Sequence, residues 1–214
     1  MKGLLIANGK MVNAEFYLDR MKAEVYDLVV CADGGANNAY KSGIMPHAIV
    51  GDMDSIHPDV REYYESTDVE FQCHPPEKDE TDTEIALEYL IGAGCRSLDM
   101  FGCLGNRVDH ALANVYLLVE MARKGVKARL IDETNELEVL LSSEKIQTKP
   151  GEIISLIPLS EKVEEVTLEG FAYPLVKETL NMGYSRGISN IAKGSEAVIE
   201  FSRGVLLVGR VKEE

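Results

Sequence analysis

Over about the first 130 residues, short apolar runs alternate with amphipathic stretches. Apolar runs at 4–6, 28–31, 48–50, 69–73, 98–101 and 128–131 predict strands, and 14–22, 37–41, 58–66, 82–91 and 108–124 predict helices between them. Strands spaced by helices imply a mostly parallel sheet flanked by helices, an α/β arrangement whose ligands bind at the carboxyl ends of the strands. Asp33, the pair Asp52 and Asp54, and the segment 102–107 all follow strands, so they should converge on one edge. After about Glu133 the helical period gives way to short β-rich runs at 137–141, 152–157, 163–168, 197–201 and 205–208, separated by turns such as Lys149-Pro150-Gly151. This pattern predicts an α/β domain over 1–133 and a smaller all-β sandwich over 134–214.

Two helix starts are legible. Thr81 and Glu84 have capping-box spacing, which puts Asp82 in a first turn where a carboxylate is favoured. Asp109 is placed to cap the helix that runs to Gly125. Arg107, His110 and Asn114 are spaced by three and four and fall on one face, opposite a stripe of Val108, Leu112, Val115 and Val119.

With 214 residues, 45% hydrophobic and 27% charged, the composition is that of an ordinary globular protein. No apolar stretch has membrane-spanning length, and Asn8-Gly9-Lys10 interrupts the first apolar run too early for a signal peptide. Cys31, Cys73, Cys95 and Cys103 form no CxxC pair and are expected to be reduced core thiols of a cytoplasmic protein. A net charge of -14 argues against general nucleic-acid binding and favours a cationic co-substrate. A polyphosphate substrate would then need local cations to reverse the sign at its site.

Those cations have an obvious place. Gly51-Asp52-Met53-Asp54-Ser55 ends a predicted strand with two carboxylates, and Lys78-Asp79-Glu80-Thr81-Asp82 adds a second acidic group. Clustered carboxylates repel unless a positive charge sits among them, and Mg²⁺ takes carboxylate oxygens while keeping positions for water and phosphate. Alternate residues on an extended segment point the same way, so Asp52 and Asp54 are expected to face one ion or to bracket two. Asp33-Gly34-Gly35-Ala36 is either a tight turn or a place where backbone amides approach a phosphate. In Gly102-Cys103-Leu104-Gly105-Asn106-Arg107-Val108-Asp109-His110, Arg107 can fork onto phosphate oxygens. Asp109 either orients Arg107 or caps the helix, and His110 meets phosphate or backbone. His47, His57 and His74 lack metal-ligand spacing, and neither a P-loop nor a serine nucleophile elbow occurs. In the β domain, Ser189 and Asn190 offer a hydroxyl and an amide within the polar stretch 185–190, which is otherwise a turn.

Taken together, ADGGAN (32–37), GDMDS, KDETD, GCLGNRVDH, GISN and FSRGVLLV resemble the thiamine pyrophosphokinase family, in that family's order and over nearly the whole chain. The resemblance implies an α/β catalytic domain and a β-sandwich, assembled as a homodimer with active sites between subunits. It implies the reaction of ATP with thiamine to give AMP and thiamine diphosphate, with Mg²⁺. It places Asp52, Asp54 and Asp82 at metal-associated positions, and matches Asp33, Arg107 and Asp109 to the family's acidic and arginine motifs. It matches Ser189 to a thiamine-contacting serine; the expected catalytic residues are then Asp52, Asp54, Lys78, Asp82, Arg107 and Asp109, and the expected ligand-binding ones Asp33, Gly34, Gly35, Thr81, His110, Ser189 and Asn190. Asn106 departs from the usual second glycine of its motif, and Lys78 stands where some members carry glutamine. With no Trp, stacking on thiamine falls to Phe171, Tyr173 or Tyr184. Two other classes fit the residues less fully. One is a D-x-D nucleotidyl or glycosyl transferase, which would release UMP, UDP or pyrophosphate. The other is a non-catalytic nucleotide sensor.

Overall fold

The computed structural model describes residues 1–105 and 107–212; Asn106, singled out above, lies outside the described residues. The chain divides into two compact units, residues 1–117 with 125–133, and residues 118–124 with 134–214.

In the first unit, six strands pair in parallel: β1 (Lys2–Ile6), β2 (Leu28–Ala32), β3 (Ala48–Gly51), β4 (Glu70–Cys73), β5 (Ser97–Phe101) and β6 (Lys127–Ile131). Their order is β4-β3-β2-β1-β5-β6. The chain moves outward from β1 to β4, then returns to the other side of β1, so the order reverses between β1 and β5. Loops at such a reversal part from one another and leave a crevice at the carboxyl ends of the strands. The helices are α1 (Ala14–Ala23), α2 (Gly35–Lys41), α3 (Pro58–Glu65), α4 (Asp82–Gly92) and α5 (Val108–Arg123). Leu4, Ile6, Val29, Cys31 and Ile49 from the strands pack with Tyr17, Ala36, Val60 and Tyr64 from the helices into one buried core. The buried Tyr17 ring lies 5.1 Å from that of Phe101, and its hydroxyl donates to Glu133 Oε2 at 2.9 Å.

The α5 stripe expected to pack is only partly buried: Val108 and Leu112 are exposed, while Asn114 is buried. The polar face turns inward because Asn114 Nδ2 donates to the Cys103 carbonyl at 2.8 Å and ties the preceding loop to the helix. The cysteines also divide: Cys31, Cys95 and Cys103 are buried, as expected, but Cys73, at the end of the edge strand β4, is exposed.

The second unit is built from two antiparallel sheets. One has the order β12-β9-β14-β7, with β7 (Asn135–Leu140), β9 (Ile153–Pro158), β12 (Asn190–Ile191) and β14 (Leu206–Val211). The other has the order β11-β10-β13-β8, with β8 (Glu144–Gln147), β10 (Lys162–Glu169), β11 (Leu175–Asn181) and β13 (Glu196–Glu200). Ile154, Leu156, Leu206 and Val208 of the first sheet share a buried core with Val163, Val166, Leu168 and Ile199 of the second, the packing of a sandwich. The hydrophobic pattern misses β8, β11 and β12. Strand β11 escapes because its pairing with β10 is irregular: the register shifts on both sides of Val166, and Lys177 has φ 49°. Its buried Leu175 and Leu180 therefore stand five apart and show no period of two.

Candidate active site

At the carboxyl edge of the parallel sheet lies a cavity of about 800 Å³. Asn8, Gly9 and Lys10 line it from the loop after β1, Asp33 from that after β2, and Asp52 with Ser55 from that after β3. Lys78, Thr81 and Asp82 come from the approach to α4, and Gly102, Cys103, Gly105 and Arg107 from the loop after β5. His110 and Asn114 of α5 complete it.

The loops after β1 and β5 meet backbone to backbone. Gly9 N–H donates to Gly102 O at 2.7 Å, and a Cβ on Gly9 would stand 2.2 Å from that oxygen. Helix α2 ties neighbouring loops down with two asparagines, residues that a helix interior does not favour. Asn38 Nδ2 donates to Ala7 O and Gly9 O, each at 2.8 Å. Asn37 Nδ2 donates to Ser55 O at 2.9 Å, and its Oδ1 accepts from His57 N–H at 2.9 Å. Gly34 and Gly35 do not line the cavity. They are glycines because a Cβ on Gly35 would stand 2.0 Å from Ile6 O, and one on Gly34 2.3 Å from Asn8 Nδ2. They permit the close packing of α2 on β1 and on the loop after it.

Asp33, Asp52 and Asp82 each bring one carboxylate oxygen within 4.8 Å of the others. Asp33 is 5% exposed, has a left-handed backbone (φ 42°), and its N–H donates to Val50 O at 2.8 Å. Burial pushes its carboxyl above the usual aspartate range against the pull of the Ser55 hydroxyl and the Gly34 amide, and the nearby Asp82 carboxylate adds to the rise. Its Oδ1 is buried with no hydrogen-bond partner. Leaving a buried acceptor unsatisfied costs about 1–3 kcal/mol, so this atom fits a site shaped for a hard cation.

Asp54 stands outside that cluster. Met53 is buried with φ 68°, so the segment turns rather than extends, and Asp54 N–H donates to Asp52 Oδ1 at 3.2 Å. Asp54 is exposed, does not line the cavity, and its Oδ1 accepts from Ser55 Oγ at 2.8 Å.

Lys10, Lys78 and Arg107 line the same cavity as the acids. Lys78 Nζ lies 2.5 Å from Asp82 Oδ1. Thr81 caps α4, and the full capping box with Glu84 forms. Arg107 forks onto Asp109, with Nε to Oδ1 at 3.0 Å and Nη2 to Oδ2 at 2.5 Å. The Arg107 guanidinium holds the Asp109 carboxyl well below the usual range. Because α5 already begins at Val108, Asp109 lies in its first turn and orients Arg107. His110 reaches the cavity and His47 does not; His47 Nδ1 accepts from Val29 N–H at 3.0 Å.

In the second unit, Ser189 is exposed with φ 54°, and its N–H donates to Ser155 Oγ at 3.0 Å. Asn190 is buried and already engaged: Oδ1 accepts from Tyr173 N–H at 3.0 Å, and Nδ2 donates to Tyr173 O at 2.8 Å. It fastens the Tyr173 backbone, and its Oδ1 also accepts from Ile191 N–H at 2.9 Å. Of the three aromatic candidates, Phe171 is a core residue, whereas Tyr173 and Tyr184 are exposed.

No motif in the sequence marks Asn8-Gly9-Lys10, Asn37 or Asn38 for chemistry. The sign that could have found them is the asparagine doublet at the start of a helix that follows a two-glycine turn.

The family model for the thiamin pyrophosphokinase catalytic domain matches residues 21–130, and that for the thiamin pyrophosphokinase vitamin B1 binding domain matches residues 142–206. A thiamine pyrophosphokinase of Bacillus subtilis is 33% identical over 189 residues, covering 86% of this chain and 87% of its own. Thiamine pyrophosphokinase 1 of Oryza sativa is 26% identical over 194 residues, covering 78% and 72% of the two chains. The crystal structure of thiamin pyrophosphokinase from Geobacillus thermodenitrificans superposes with a TM-score of 0.85 at 30% identity, over 100% of this chain and 99% of that one. With both family models matched in order along one fold, the chain belongs to the thiamin pyrophosphokinase family.

Proposed function

We propose that this chain is a thiamine diphosphokinase, moving the pyrophosphoryl group of ATP onto the hydroxyl of thiamine. The observation that carries this is the meeting of Asp33, Asp52 and Asp82 from three separate loops, with Asp33 Oδ1 unsatisfied, in a cavity also lined by Lys10, Lys78 and Arg107. Membership of the family supplies the substrates.

Asp33, Asp52 and Asp82 would hold Mg²⁺, which when bound supplies charge neutralisation to the phosphate oxygens. Lys10, Lys78 and Arg107 counter the remaining charge of the triphosphate. The thiamine hydroxyl oxygen forms a bond to the β-phosphorus, the bond from that phosphorus to the oxygen bridging to the α-phosphorus breaks, AMP leaves with that oxygen, and the hydroxyl proton passes to solvent. Such transfers ask mainly for positioning and charge stabilisation, and Arg107, forked by Asp109, is pre-oriented for the second task. The net charge of -14 favours capture of the cationic thiazolium. Ser189, with Tyr173 or Tyr184, is the thiamine-side candidate in the β unit. The D-x-D transferase alternative loses its structural ground with Asp54 outside the cluster.

The working form is a homodimer. Val108, Leu112 and Tyr116 support this, lying four apart on one face of α5 and exposed in the single chain. The cytoplasm is its compartment, in line with four free cysteines. Among the described residues, no helix is long and apolar enough to cross a membrane.

Incubation with ATP, Mg²⁺ and thiamine tests the function. AMP and thiamine diphosphate should appear together; UMP or UDP from nucleotide sugars, or nucleotide binding without turnover, would refute it.

A further inference from the structure

One ion pair in the cavity is not required by the transfer reaction. Lys78 Nζ lies 2.5 Å from Asp82 Oδ1, with side chains 13% and 28% exposed. The same Oδ1 stands 3.0 Å from where a Cβ on Gly51 would lie, at the end of the strand that leads into Asp52. Asp82 is at once the partner of this lysine and a member of the three-acid cluster.

We propose that Lys78 is a tethered counter-ion of the metal site, which exchanges with a divalent cation on Asp82 and is passed on to the phosphate tail of the nucleotide. The inference rests on the metal-holding role of the cluster proposed above. Three carboxylates against one ammonium leave the cluster two charges short, the deficit a divalent ion meets. An ammonium at contact distance from Asp82 Oδ1 opposes the approach of a second cation to that oxygen. Lys78 is suited to leaving: it is a point charge on a flexible stem, and it precedes α4, whose start is held by the Thr81–Glu84 box without it. The released ammonium remains in the cavity, where an arriving phosphate offers a new partner. Metal and nucleotide then assist each other, because each relieves the cost the other meets at Lys78, and such coupling is reciprocal.

The experiment uses the full chain and Mn²⁺ as probe, with free Mn²⁺ read by electron paramagnetic resonance in the absence of nucleotide. Lys78→Gln should tighten Mn²⁺ binding by about tenfold. Lys10→Gln removes the same charge from the same cavity without touching Asp82, and should change it by less than about threefold. At saturating Mn²⁺, Lys78→Gln should weaken ATP binding. Unchanged or weaker Mn²⁺ binding by Lys78→Gln overturns the proposal, as does an equal effect of Lys10→Gln, which would mean a general field. Unchanged ATP binding at saturating Mn²⁺ overturns the hand-over. If neither wild type nor Lys78→Gln binds Mn²⁺, the metal-holding role of the cluster itself fails, and the exchange with it.

Discussion

A Cβ placed on Gly51 would stand 2.8 Å from the Cβ of Asp33. It would also stand 3.0 Å from Asp82 Oδ1, and Gly51 has φ 150°. Two of the three clustered acids approach each other across a position where only hydrogen fits. Gly51→Ala should therefore cost about 1–3 kcal/mol in urea unfolding and spread the acids, lowering turnover. Gly43→Ala is the contrast. Gly43 has φ 66° with nothing within 4 Å of the added Cβ, so stability should fall by about 1 kcal/mol while AMP formation is kept.

Asp52→Asn and Asp82→Asn should each lower turnover by ~10²–10³, the scale of a lost electrostatic donor. Asp54→Asn should lose less, because the left-handed turn at Met53 sets Asp54 outside the cluster. Initial rates of AMP formation at saturating ATP rank the three. An Asp54→Asn loss as deep as that of Asp52→Asn would show that this turn rearranges on loading.

The bidentate geometry at Arg107 gives a second ordering. Arg107→Lys keeps the charge but loses the planar fork onto Asp109. It should reduce kcat by at least about tenfold with little change in KM for ATP, since the fork acts on developing charge. Asp109→Asn, which leaves the guanidinium charged but less well held, should fall between wild type and Arg107→Lys. A drop confined to KM in both would place Arg107 in ground-state binding only.

Stability at low pH should depend on Asp99, far from this chemistry in sequence use. It is fully buried in β5, 2.8 Å from Arg129 and 3.1 Å from Lys2, and its Oδ2 accepts from Tyr26 at 2.6 Å. Burial pushes the Asp99 carboxyl up, but Arg129, Tyr26 and Lys2 outweigh it and hold it below the ordinary range. A depressed carboxyl contributes stability above its unfolded value of about 4 and loses it as pH falls through the lower folded value. Unfolding free energy should thus drop with acid below about pH 4 in the wild type, and less steeply in Asp99→Asn. Near neutral pH that variant should already be weaker by about 1–3 kcal/mol, the scale of a charged hydrogen-bond partner lost from a buried site, while Lys2 and Arg129 keep Glu24.

The alternation of runs and helices was enough to place the parallel sheet and the edge on which the acids meet, because buried strands and amphipathic helices carry their own periods. The capping box at Thr81 was legible for the same local reason. What escaped depends on backbone turns and on contacts between distant segments. Asp52 and Asp54 look equivalent in sequence, and only the φ of Met53 separates them. Asp33 enters the cluster because Gly51 leaves room for it, a tertiary fact. Lys10 reaches the cavity because the strand order reverses between β1 and β5, which spacing along the chain does not disclose. Asn190 has the chemistry of a ligand-binding amide, yet its partner is the Tyr173 backbone.

Pyrophosphoryl transfer is tested most directly with ATP radiolabelled on its γ-phosphate, incubated with the protein, Mg²⁺ and thiamine. The label should move to thiamine diphosphate with one AMP formed for each molecule made, and Asp52→Asn should lower both signals together by ~10²–10³. Labelled inorganic phosphate with unlabelled ADP in place of labelled thiamine diphosphate, or undiminished transfer by Asp52→Asn, would contradict the role given to this cluster of acids.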